Sequence, residues 1–162
     1  MRFRRRDRLP DEVRDALPTE RGERVLAAGR TTDGTWVVAT DRALIDSGRR
    51  TPWTDVVHAQ WYDEEQVLAV DLLPGGEPSY RLTLADPGRV PETVHERVMA
   101  SIVLSRRVAL PGGGGARVVA RRGEGSGETV WQVVADEGVD LADPAVRERV
   151  DAALADLQAE LG

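Results

Sequence analysis

Between residues 24 and 84 the chain never provides a stretch long enough to cross a sheet on a helix. Short apolar runs alternate with polar breaks of only a few residues. Parallel neighbours need a crossover of about a dozen residues or more, so these strands can only follow one another antiparallel. Arg24–Arg30 and Thr35–Thr40 flank Thr31-Thr32-Asp33-Gly34, where Asp-Gly is a hairpin signal. Asp41-Arg42 breaks the chain again before Ala43-Leu44-Ile45. Thr51-Pro52-Trp53 reads as a short or edge strand, because proline cannot donate to a ladder. From Val57 the alternation puts Val57, Ala59 and Trp61 on one face and His58, Gln60 and Tyr62 on the other. Asp63-Glu64-Glu65 turns the chain into Val67–Leu73, and Tyr80, Leu82 and Leu84 share a face of the strand that follows. About seven strands are expected.

The period then changes. Val90, Val94, Val98 and Ile102 recur every fourth residue, which predicts a helix over 91–105. Strands first and an amphipathic helix after them predict an α+β fold in which the helix covers a curved antiparallel sheet or barrel. Before the strands, residues 1–9 read as a basic arm and Pro10–Leu17 as a short helix. After residue 105, Arg107–Leu110 and Arg117–Arg121 read as a hairpin, Thr129–Val134 as a strand, and Asp143-Pro144 as the capped start of a terminal helix. That helix carries an apolar stripe of Val146, Val150, Ala153, Leu154, Leu157 and Leu161. It is too short for a coiled coil and is expected to dock within its own chain, favouring a monomer. The expected organisation is therefore an arm and short helix (1–22), a central domain (23–105) and a β-rich extension with a terminal helix (106–162).

Composition narrows the chemistry. No apolar run approaches the roughly 20 residues needed to cross a bilayer. The opening arginines are followed by the charged stretch PDEVRDALPTERGE rather than a signal-peptide core, so a cytoplasmic location is expected. With no cysteine, disulfides, thiolate metal sites and cysteine nucleophiles are excluded. All 22 basic residues are arginine. Residues 1–8 hold five of them against one aspartate, so with a net charge of -6 the rest of the chain carries about -10, and a nucleic-acid-binding face across the whole body is not expected.

The order and rhythm of Glu23-Arg24-Val25-Leu26, Trp36–Ile45 and Pro52–Val56 resemble bacterial pleckstrin-homology-like domains of the GRAM or YokE-like type. Thr40-Asp41-Arg42 followed by aliphatic residues matches the return of that family's opening hairpin, and the helix over 91–105 falls where its capping helix would. The chain as a whole is similar to proteins common in actinobacteria, a likeness that implies no activity. The resemblance, over roughly 23–105, implies a binding module. The arginine spacing of phosphoinositide binders is missing from the first hairpin, so that ligand does not carry over, and a protein-interaction or scaffolding role without a cofactor is expected.

Other motifs point no further. Gly112–Gly115 lacks the lysine and hydroxyl of a phosphate loop and reads as a hairpin tip. Gly123-Glu124-Gly125-Ser126-Gly127 fails as a nucleophile elbow, because Glu124 stands where glycine is required. His58 and His95, the two histidines, have no second ligand at metal spacing. Nothing marks a catalytic residue, and an enzyme is not expected. Two candidate surfaces remain. His58, Gln60 and Tyr62, with the arginines Arg106, Arg107, Arg117, Arg121 and Arg122, form the expected partner-binding surface. The alternative is the arm, whose Arg2, Arg4, Arg5, Arg6 and Arg8 suit an anionic membrane or a nucleic acid.

Overall fold

The computed structural model describes residues 9–73, 76–123 and 127–162. It divides into two compact units, one reaching to Ser101 and the other formed by Ile102–Arg122 and Glu128–Gly162. The first unit holds α1 (Asp11–Asp15), the seven expected strands and α2 (Val90–Ala100). Its strands are β1 (Val25–Thr31), β2 (Trp36–Thr40), β3 (Ala43–Asp46), β4 (Arg49–Pro52), β5 (Val56–Tyr62), β6 (Val67–Leu72) and β7 (Tyr80–Asp86). They pair in the order β4-β3-β2-β1-β7-β6-β5, antiparallel throughout.

The sheet does not close into a barrel. Its ends are β4 and β5, consecutive in the chain but joined through a 3-10 turn at Trp53–Asp55 instead of paired. Pro52 ends β4 without an amide hydrogen to offer a ladder. Side chains bridge that side: the Thr51 and Tyr80 hydroxyls lie 2.8 Å apart, and Trp53 turns inward to donate from Nε1 to the Thr40 carbonyl at 2.9 Å.

Alternation along β2 gives the sheet two buried faces. Val37 and Ala39 join Leu44, Trp53, Val56, Leu68, Val70 and Leu84 in the main core, which α2 covers with Val90, Val94 and Val98. Val38 faces the other way, where Ala43, Ile45 and Leu9 bury together and Val13 and Leu17 of the α1 segment pack against them. Helix α2 stops at Ala100, five residues before the expected end. Ile102, expected to pack beneath it, instead starts the next strand.

Glu23 ties the first hairpin to its neighbours. Burial alone would raise its carboxyl, but hydrogen bonds from Arg50 (2.8 Å) and the Thr40 hydroxyl (2.6 Å) hold it below the ordinary value. Thr40 also accepts from the amides of Arg42 and Ala43, while Asp41 accepts from the Arg24 amide at 2.8 Å. The Thr-Asp-Arg step is thus a hydrogen-bonded corner.

In the second unit, β8 (Ile102–Ala109), β9 (Gly115–Arg122) and β10 (Thr129–Ala135) form a sheet in the order β10-β9-β8. Helix α3 (Pro144–Leu161) crosses one face, capped by Asp143 Oδ1, which accepts from the Ala145 and Val146 amides. Val146, Val150, Ala153 and Leu157 bury against Val108, Leu110, Ala116 and Val118, so the expected stripe docks on its own sheet. Leu161 is the exception and stays exposed.

Two outcomes test this packing. Val98→Asp places an unpaired carboxylate in the main core and should destabilise the chain by roughly 3 kcal/mol or more in urea unfolding. Asp46 responds in the opposite direction. Burial raises its carboxyl above the ordinary value, and Arg49, at 3.8 Å and outside hydrogen-bond reach, only partly opposes this. The folded state therefore holds the extra proton between the unfolded and folded pKa values, and stability falls as pH rises through that window. Asp46→Asn should melt higher than the parent chain near neutral pH, with the advantage disappearing below the ordinary carboxylate range.

Candidate interaction groove

The two end strands of the seven-stranded sheet differ. Strand β4 has four residues, including Arg49, Arg50 and Pro52, all features that discourage another strand from pairing with it. Strand β5 has seven residues, no proline and no arginine or carboxylate. A bulge between Val56 and His58 shifts its alternation, so Val56 rather than Val57 enters the core, while Ala59 and Trp61 pack partly against it.

Helix α2 packs alongside β5 and leaves a groove of about 520 Å³ between them. Half-buried Trp61 gives it an apolar surface, underlain by the buried core residues Leu68 and Val94. His58 and Gln60 line one side, and Glu92, His95 and Glu96 line the other. Both histidines of the chain therefore meet in one place, although one belongs to a strand and the other to a helix. The Trp61 indole donates from Nε1 to Asp63 Oδ1 at 3.2 Å, which fixes the ring at one end of the groove. His58 Nδ1 lies 3.6 Å from Asp71 Oδ2, its cross-strand neighbour on β6. Among the described residues, no three histidine, aspartate or glutamate side chains group to hold a metal ion.

The sequence places His58, Gln60 and Tyr62 on one face, and the structure locates the first two at the groove. Tyr62 does not line it. Its hydroxyl donates to Gln60 Oε1 at 3.2 Å, and the Arg81 guanidinium sits 5.8 Å from its ring centre. Sequence reasoning missed Glu92, His95, Glu96 and Trp61 as site residues. The signal for the first three was present, since they stand between the buried Val90, Val94 and Val98 on the polar side of α2. What the sequence lacked was the pairing of that side with β5.

The expected arginine cluster lies on the other unit and does not converge. Arg106 Nη1 and Nη2 donate to Glu160 at 2.9 and 3.2 Å, on the α3 side of the sheet. Arg107 faces away from α3, paired with Asp136, which also accepts from the Gly115 amide. Arg117 donates to Ser105 Oγ at 2.9 Å, and Arg122 is exposed at the end of β9. Arg121 departs furthest from expectation. It lies on the central strand and is only 2% exposed, with Nε donating to Gln132 Oε1 at 2.9 Å. Burial lowers the pKa of its guanidinium. Arg121 therefore cannot belong to a surface patch. Arg2, Arg4, Arg5, Arg6 and Arg8 lie outside the described residues.

No helix among the described residues is long and apolar enough to cross a membrane. Comparison with family models, curated proteins and solved structures gave no match to the chain.

The arginines should separate by variant. Arg121→Ala removes a buried guanidinium and its hydrogen bond to Gln132 Oε1, and should cost about 2–4 kcal/mol in chemical unfolding. Arg106→Ala removes a solvent-exposed pair and should leave the unfolding midpoint close to the parent value.

Proposed function

We propose that the chain is a non-enzymatic, cytoplasmic binding module, a pleckstrin-homology-like domain with a β-rich extension, that engages a partner protein. The first unit accepts an extended segment of that partner along β5, beside α2. The carrying observation is the edge strand β5, without proline, arginine or carboxylate, beside a groove that Trp61, His58 and Gln60 line. Backbone groups of an edge strand supply hydrogen bonds to an added strand, and the adjacent groove takes its alternate side chains. A half-buried tryptophan is a suitable anchor for such a contact. The continuous antiparallel order of β1–β7, followed by one helix over the core, supports the pleckstrin-homology-like reading. Among the described residues the groove carries two imidazoles and two carboxylates and no hydroxyl, which supports binding over nucleophilic catalysis. The absence of cysteine throughout the sequence supports a reducing interior.

Selection of peptides from a random displayed library against the full chain tests this reading. Selected peptides should lose about tenfold or more in affinity when His95→Trp fills the groove, as expected for loss of a packed contact. They should bind unchanged to a chain lacking residues 1–8, and amides of β5 should gain protection from hydrogen exchange on binding. Binding that vanishes with the arm, collapses in salt and ignores His95→Trp would transfer the function to an anionic membrane or nucleic acid.

A further inference from the structure

From the charges around the groove we infer that the segment it accepts is basic. This rests on the groove being the docking site. Among the described residues no arginine lines the groove; its charged lining there consists of Glu92 and Glu96 together with the two histidines. The surroundings extend the same sign. Asp63, which holds Trp61, opens the Asp63-Glu64-Glu65 turn at the end of β5, and Asp71 stands beside His58. A cation entering this groove meets carboxylates on the helix, on the neighbouring strand and at the turn.

Glu92 and Glu96 line the groove from α2 and are one turn apart, about 6 Å along the helix. Two cationic side chains of one segment can therefore each meet a glutamate.

The test uses the full chain and three labelled probe peptides, alternating arginine–valine, glutamine–valine and glutamate–valine, with binding followed by fluorescence anisotropy at low and high salt. The arginine–valine peptide should bind at least about tenfold tighter than the glutamine–valine peptide, and the glutamate–valine peptide should not bind. The double variant Glu92→Arg with Glu96→Arg changes exposed residues, so its fold is checked by circular dichroism, and it should reverse the order to favour the acidic peptide. Equal binding of all three peptides that is lost with His95→Trp would overturn the basic class while leaving the groove reading standing. Arginine–valine binding that survives both His95→Trp and the double variant would overturn the proposal, because the attraction would then belong to the acidic body at large. A second copy of this chain is the competing occupant, since residues 1–8 hold five arginines. Salt-sensitive self-association, abolished both by removing those residues and by the double variant, would assign the groove to that copy and overturn a separate partner.

Discussion

The first unit depends on how closely β1 and β7 can approach. Only two residue pairs join these strands, Arg30 with Asp86 and Thr31 with Leu84, with an irregularity between them. Within the ladder, the β4 side of the sheet joins the β5 side at this seam. Beside it the backbones crowd. A Cβ on Gly29 would fall 2.7 Å from the Asp86 carbonyl and 2.8 Å from that of Pro87. A Cβ on Gly88 would fall 2.7 Å from the Ala28 carbonyl, and Gly88 also has a positive φ of 52°. The two glycines let the chain leave β7 against β1 and enter α2 within a few residues. Helix α2 thereby starts at the seam, and Val90, Val94 and Val98 continue from there over the core. The position of Glu92, His95 and Glu96 beside β5 follows from that starting point, since the helix has little freedom once its first turn is fixed.

An open sheet has two edges, and this one treats them differently. The β4 edge is short, carries charge and ends in proline, while Arg50 reaches back to Glu23 and Arg49 stacks on Tyr80 at 4.0 Å from the ring centre. These contacts bind its side chains to the body of the unit. Strand β5 carries no proline, arginine or carboxylate, and α2 beside it leaves a groove. Exposed edges invite pairing with other chains, so an edge retained without guards implies either a hazard or a use.

The sequence carried the local geometry of the fold well and its closures poorly. Strand alternation depends on neighbouring residues, and the turns at Asp33-Gly34 and Asp41-Arg42 are written in adjacent positions, so β1 to β7 were legible. The failure to close at β4 and β5 depends on non-local geometry, with only Pro52 as a local hint. The early end of α2 also has a tertiary cause. Ile102 continues the helical period of Val94 and Val98, yet it is claimed by the ladder with β9. For the site, His58 and Gln60 could be assigned a solvent-facing side from alternation alone. Their partners His95, Glu92 and Glu96 could not, because helix periodicity shows which residues face away from the core but not which strand lies beside them.

The arginines of the second unit illustrate why counting charge in a sequence overstates a binding surface. Five guanidiniums within 106–122 suggest a concentrated positive field. In the sheet, Arg106 goes to one face and Arg107 and Arg117 to the other, and each finds a partner nearby: Glu160, Asp136 and Ser105 respectively. An incoming anion would have to displace carboxylates already seated on Arg106 and Arg107, so the net attraction is much smaller than the formal charge suggests. The residue that sequence reasoning would rank equally with these, Arg121, is withdrawn from solvent and bonded to Gln132. The glutamates of the groove present the opposite case. Glu92 and Glu96 are few in number, but they are exposed on a helix beside the end strand β5 and line a groove with no arginine among the described residues. Charge attracts in proportion to what nearby partners leave uncompensated, so two exposed glutamates can outweigh guanidiniums that are paired or buried.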